Sequence, residues 1–517
     1  MLYPTMRKNL IDFNSPKLQE DVANCDRIIT PFAKTNISNY SDILAFNKQG
    51  EPYIANYQRV REYLDDRGYI KEIISENPLV KRYYYFDLKT GYYQEISEES
   101  MYEKFIQELC SIASYLRITR NTKAEFLANV LPFIRDCNDL QQSEGFDLLK
   151  DLYTDGEVMP FKNGVYSLRT NRLLPRTSCI FIKNHFKVNF NPASFNNPIS
   201  QRYFEITDEN EELFEYLFEQ IGYAMYCETF FIPTYTVMYG PGSNGKSMFV
   251  NAIRSIMGDD LLSGVTLEGM ANPFEVAYSE GKRVNLVADA SAGYFDNKFA
   301  PVTLVPSFMK QCSSGEKWQF NPKHKSLHWG YGPSKFIFAT NVCLNFSDSS
   351  DGTVRRTKPV FLPRVFKEDR LLVKQMESQE AMEWFALQAL VSFKNFINNA
   401  MKGKEDIPFT PLTGMYIHCE QGDDIKREML AAKDVIADFL ITEKELDILD
   451  AEEVRNNLDG VEDIYLELKE FCMATGRCCP HQRTVTRYFK DKYNLLNRRS
   501  SRLCGVDIVH YYILEKI

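Results

Sequence analysis

The alternation of apolar and polar residues divides the chain into short β-rich runs and amphipathic helical stretches. The clearest sit near its middle. Tyr235-Thr-Val-Met-Tyr239 is short, apolar and β-rich, which predicts a buried strand. Met248 to Met257 follows with apolar residues at helical spacing, and Gly258 stands where that helix should end. Upstream, Leu213, Tyr216, Leu217, Ile221 and Met225 mark an amphipathic helix between Asp208 and Cys227. Downstream, Gly281 to Asp289 predicts a strand ending in an acid. Lys335-Phe-Ile-Phe-Ala-Thr-Asn341 predicts another, ending in Thr-Asn.

The flanks are more mixed. Residues 1–150 contain helical stretches at Met101 to Leu116 and Thr122 to Ile134. Tyr83 to Asp87 followed by Thr90-Gly91-Tyr-Tyr93 predicts a hairpin. Asn163-Gly164, between apolar residues from Met159 to Tyr166, predicts a second hairpin. Residues 370 to about 430 read as helix and then as loop around Pro408, Pro411 and Gly414. Beyond Lys433, a helix from Ile464 to Met473 is ended by Gly476, and a second runs from Thr484 to Tyr493. Two strands follow, Arg498 to Arg502 and Val506 to Leu514, joined at Cys504-Gly505. Helix, turn, basic helix and hairpin is the pattern of a winged helix, whose second helix enters a DNA groove. The resulting division is an α+β module of unassigned role over 1–150, a connector and helical collar over 151–232, and an α/β core over 233–370. A helical lid and linker over 371–430 and a winged helix over 431–517 complete it.

At 517 residues the chain is long enough for about two to four domains. Its 44% apolar and 25% charged residues are those of an ordinary soluble protein. No apolar run approaches the roughly 18 residues needed to cross a bilayer, and Met1 to Phe13 lacks the apolar centre of a signal peptide. Twelve scattered cysteines without a C-x-x-C pair suggest reduced thiols in the cytoplasm. The net charge of -9 argues mildly against a nucleic-acid partner. That total conceals opposed segments: Glu443 to Glu470 has eleven acids and three bases, whereas Arg477 to Arg502 has eight bases and one acid. Arg483, Arg487 and Lys490 fall on the second helix of this basic segment and are candidates for DNA contact.

Gly240-Pro-Gly-Ser-Asn-Gly-Lys-Ser247 fits the phosphate-loop pattern G-x-x-x-x-G-K-[ST]. Gly240, Gly242 and Gly245 allow the backbone, with Ser243 and Asn244, to turn its N–H groups toward phosphate oxygens. Lys246 supplies a charge for the β and γ phosphates of ATP, and Ser247 a hydroxyl for Mg²⁺. Strand, loop and helix follow in the order this chemistry needs. Asp289 is the candidate second carboxylate, for Mg²⁺ or the attacking water. Asn341 at the next strand end could orient that water. An acid after an apolar run and a turn asparagine are common, so each of these is open on its own. Arg355 and Arg356 follow a polar loop, where an arginine could stabilise transition-state charge or simply form a solvated pair. Lys323, His324 and Lys325 lie beside Trp318 and Phe320 and could grip phosphates from a β-hairpin; a charged turn is the alternative. Cys472, Cys478, Cys479 and His481 cluster in one turn. Thiols packing the turn are favoured there over zinc, because adjacent cysteines seldom ligate one metal. No histidine precedes His185 and Asp87 has no close partner acid, so the first 150 residues show no primase site.

Together these motifs resemble a superfamily 3 helicase of the phage and plasmid primase-helicase type, related to the poxvirus primase-helicase. The resemblance covers roughly residues 150–517. It rests on the Asn before Gly-Lys-Ser in the loop, on Gly281-Lys282-Arg283 through Asp289, and on Met309-Lys310 through Gly315-Glu316 and Lys323 to Lys325. Ala339-Thr-Asn341 resembles the family's sensor strand, and Asp348 to Arg356 its arginine-finger loop. The order and spacing of these five motifs is more specific than any one. The chain departs from the family in having Asp289 where Glu is usual, with Ala290 in place of an adjacent acid. The resemblance implies an AAA+-like ATPase, a hexameric ring with ATP between subunits, and Arg356 (or Arg355) reaching the neighbour's γ-phosphate. It also implies Lys323 and Lys325 hairpins gripping one DNA strand in the channel. A replicative DNA helicase of a phage, plasmid or other mobile element is the function implied. An origin-binding initiator that binds ATP with little hydrolysis is the alternative, motivated by Asp289.

Overall fold

The protein is described from a computed structural model. It describes residues 11–25, 27–29, 36–76, 79–113, 116, 120–142, 158–168, 170–226, 232–290, 304–323, 325–341, 356–367, 369–401, 421–422, 424–425, 427, 434–459, 464–477, 479–480, 482–500 and 511–516. The fold is α/β. Its central strands, in chain order, are β1 (Tyr235–Tyr239), β2 (Leu262–Ser263), β3 (Val284–Val287), β4 (Lys317–Phe320), β5 (His328–Tyr331), β6 (Lys335–Thr340) and β7 (Thr357–Phe361). Five of them form one parallel sheet in the order β2-β3-β6-β1-β7, and β4 and β5 pair antiparallel as a hairpin. Four helices frame the sheet: α1 (Glu211–Tyr226), α2 (Lys246–Met257), α3 (Leu304–Ser313) and α4 (Gln379–Met401).

A parallel sheet needs crossover connections that cover its faces, so its strands are buried on both sides. Alternate residues of β1 and β6 accordingly enter different cores. Tyr235, Val237, Phe336 and Phe338 pack with Phe308 and Met309 of α3. Met238, Ile337 and Ala339 face the opposite way, into a large core with α1, α2 and α4. This double burial explains why both strands read as unbroken apolar runs.

The helix expected from Asp208 begins at Glu211, because Asp208 and Glu209 both adopt φ 58° and Asn210 Oδ1 caps the backbone N–H of Leu213 at 3.0 Å. The Asn163 hairpin forms between Val158–Phe161 and Gly164–Ser167, but Phe161 pairs with Gly164, so Lys162-Asn163 makes the turn. Asn163 is needed for another reason: its amide exchanges two hydrogen bonds with the Phe190 backbone, at 2.8 and 3.1 Å.

Separate clusters of buried side chains lie at each end. Ile37 to Ile134 pack around an antiparallel sheet of Tyr69–Glu76, Leu79–Asp87 and Tyr92–Ile96. The last two strands are the predicted hairpin. The first escaped notice because its burial does not alternate. Ile436 to Leu495 form the other cluster, with helices Val435–Thr442, Ala451–Leu458, Ile464–Thr475 and Gln482–Tyr493. Leu495–Ser500 and Tyr511–Lys516 pair antiparallel beside them; Cys504-Gly505 lies outside the described residues. Among the described residues, no helix is long and apolar enough to cross a membrane.

Candidate nucleotide site and nucleic-acid surfaces

The loop Gly240–Ser247 connects β1 directly to α2. Gly240 stands at φ +144°, and a Cβ there would approach the Leu362 carbonyl oxygen to 2.4 Å. Gly245 stands at φ +86°, and its Cβ would lie 2.8 Å from Ile206. Only glycine meets both demands without strain. Gly242 differs from the expectation: a Cβ there would meet nothing within 4 Å, and Ser243 takes the left-handed turn instead, at φ 60°.

The loop is braced from a segment far along the chain. Leu362 N–H donates to the Tyr239 carbonyl at 2.9 Å, and Phe366 N–H to the Ser243 carbonyl at 2.8 Å. Asn244 is 1% exposed and donates its Nδ2 to the Leu362 carbonyl at 2.8 Å. Its Oδ1 accepts from Lys246 Nζ at 2.8 Å, so one amide joins the lysine to the segment immediately after β7. Lys246 also donates to the carbonyls of Gly240 at 2.8 Å and Pro241 at 3.1 Å. Burial pushes its ammonium below the usual lysine range, while the Asp289 carboxylate opposes that shift.

Parallel pairing brings the candidate polar groups to one edge of the sheet. Tyr239 is in register with Thr340, so Gly240 and Asn341 leave adjacent strand ends. Val287 is in register with Phe338, and Ala290 N–H donates to the Ala339 carbonyl at 2.8 Å. Asp289 therefore leaves the sheet beside the same edge. Asp289, Asn341 and Ser247 are exposed. Arg356 is placed differently. It immediately precedes β7, whose first residue, Thr357, is in register with Tyr235 at the start of β1. A five-residue strand spans about 15 Å, so half-buried Arg356 sits a strand's length from the Gly240–Ser247 loop of its own chain. Arg355 lies outside the described residues.

Comparisons with known proteins match two stretches of the chain. Residues 60–215 match the family described as "D5 N terminal like". They carry a D5 N-terminal-like region. Residues 238–356, from β1 to Arg356, match a family of unknown function, DUF5906. No curated protein matches the chain. Two solved structures, described as the A form apo structure of NrS-1 C terminal region-CTR and the apo structure of NrS-1 C terminal region (305-718), each share 12% identity. Each alignment covers 88% of this chain and 98% of the other, with TM-scores of 0.43 and 0.44.

The β4–β5 hairpin carries Lys323 and Lys325 at its exposed tip; His324 lies outside the described residues. Its inward face is anchored: His328 is 4% exposed, with Nε2 2.9 Å from Glu280 Oε1 and Nδ1 2.9 Å from the Ser326 carbonyl. On the basic helix Gln482–Tyr493, Val485, Phe489 and Tyr493 are buried. Arg483, Arg487 and Lys490, at i, i+4 and i+7, share the exposed face. Arg487 meets Asp491 at 3.6 Å, but both are well exposed and the pair contributes little. Cys472 is buried and Cys479 half-buried; Cys478 and His481 lie outside the described residues. Among the described residues, no cluster of three or more His, Cys, Asp or Glu could hold a metal.

Proposed function

We propose that the chain is an ATP-dependent DNA helicase of the superfamily 3 type, acting in replication of a phage, plasmid or other mobile element. The observation that carries this reading is the convergence of the Gly240–Ser247 loop, Asp289 and Asn341 at one edge of a parallel sheet. The order β2-β3-β6-β1-β7 supports an AAA+-like core, since it puts a strand between the loop strand and the Asp289 strand. The D5 N-terminal-like region supports a relation to primase-helicases.

The residues present suit ATP and Mg²⁺. Loop N–H groups and the start of α2 would receive phosphates, and Lys246 would offset their charge. Ser247 and Asp289 would hold the metal, and ATP would supply the phosphoryl group transferred to water. Asn341 would orient that water. Arg356 would serve the site of a neighbouring copy in a homo-hexamer, since its own loop lies at the far edge. Lys323, His324 and Lys325 would grip a single strand, and Arg483, Arg487 and Lys490 a duplex. The test is ATP hydrolysis with and without single-stranded DNA, alongside unwinding of a forked duplex. Stimulated hydrolysis with unwinding is expected; turnover that ignores DNA would sink the helicase reading.

One observation favours a second reading. Asp289 stands without an adjacent acid, since Ala290 follows and is 5% exposed. An initiator that binds ATP to assemble on an origin would show ATP binding, DNA binding and little turnover.

A further inference from the structure

The antiparallel sheet of residues 69–96 and the β4–β5 hairpin face each other across a cleft of about 480 Å³. Lys81 and Arg82 lie on the sheet side; Phe274, Tyr278, Lys323 and Lys325 lie on the other. Arg82 is committed to Glu280 at 3.1 Å, and Glu280 also holds His328 of the hairpin. That relay fixes the two walls to each other. Lys81, Lys323 and Lys325 make no ion pair among the described residues. Tyr278 is 75% exposed and Phe274 42%, and the Lys323 ammonium lies 5.6 Å from the centre of the Phe274 ring.

We propose that this cleft carries single-stranded nucleic acid, so that residues 69–96 form a second wall of the path begun by the hairpin. The inference rests on the hairpin being a DNA contact. Lysines without carboxylate partners supply phosphate contacts, and exposed aromatic faces supply sequence-tolerant stacking platforms. Glu95 and Glu98 also line the cleft, so it is not a plain anion trap. Its ligand must present phosphates to the lysines and flat apolar faces to Phe274 and Tyr278, and a nucleic-acid strand presents both. The work of the first 150 residues would then include strand guidance.

The test is the binding of a fluorescent oligothymidylate to the full chain, titrated by anisotropy over a range of salt. Stacking of one base is worth about 1–3 kcal/mol, so Tyr278→Ala should weaken binding about fivefold or more. Lys81→Ala should reduce the slope of log affinity against log salt by about 0.7, the loss of one single-strand phosphate contact. Tyr278 is mostly exposed, so its truncation leaves the core intact. If Lys323→Ala with Lys325→Ala weakens binding while Lys81→Ala keeps the wild-type salt slope, the second wall is refuted and the hairpin reading stands, whatever Tyr278→Ala does on the hairpin side. If wild type does not bind the oligonucleotide, both fall.

Discussion

The two edges of the parallel sheet are chemically unlike. At one, β1, β3 and β6 deliver the Gly240–Ser247 loop, Asp289 and Asn341 into a single neighbourhood. At the other, half-buried Arg356 immediately precedes β7, about a strand's length away. A cation that served the Gly240–Ser247 loop of its own chain would be expected beside Lys246. Arg356 lies instead at the opposite ends of the strands, which is why we propose that it serves the loop of another copy. The contrast teaches that parallel register assigns sequence motifs to opposite ends of a sheet, however close they stand in the chain.

The sharpest way to break the contrast is to remove one edge at a time. Lys246→Ala should reduce ATP hydrolysis to background and weaken nucleotide binding, read by steady-state turnover and a fluorescent-nucleotide titration. Arg356→Ala should leave nucleotide affinity near wild type and slow turnover by roughly 10³- to 10⁵-fold, as for arginines supplied in trans. Equal loss of binding in both variants would erase the distinction between the edges.

A smaller effect concerns the distant basic helix. Arg487→Ala with Lys490→Ala should leave basal hydrolysis near wild type while lowering the salt slope of duplex binding by nearly 2, at about 0.9 per phosphate contact. An unchanged slope would remove this helix from the DNA surface. The smallest effect concerns stability alone. His185 stacks on Tyr92 at 4.6 Å, and burial pushes its pKa down to about 4. The unfolded chain takes up that proton near pH 6.5, earlier than the folded chain does. The contribution is therefore complete above pH 6.5 and drains as pH falls toward 4, by up to about 3 kcal/mol. His185→Phe should flatten this part of the stability profile in urea melts and leave both edges unaltered.

The loop edge was largely legible in the sequence, because its requirements are local. Strand, glycines, Lys246 and helix are consecutive, and Asp289 and Asn341 each end an apolar run. Its braces were not legible. Asn244 meets Leu362, and Gly245 abuts Ile206, across separations no short pattern records. The role expected for Gly242 passed to Ser243, since the motif names residue types and does not fix which one turns left-handed. The strand Tyr69–Glu76 and the Arg82–Glu280–His328 relay were missed for a similar reason. Partly buried strands lose clean alternation, and ion pairs between distant segments leave no periodic trace.

The most direct test is to mix the two loop-edge and far-edge variants. Lys246→Ala and Arg356→Ala, each inactive alone, should together regain DNA-stimulated ATP hydrolysis, because an intact loop from one copy meets an intact arginine from another. A mixture as inactive as its parents, with both variants shown to co-assemble, would contradict a site completed between copies.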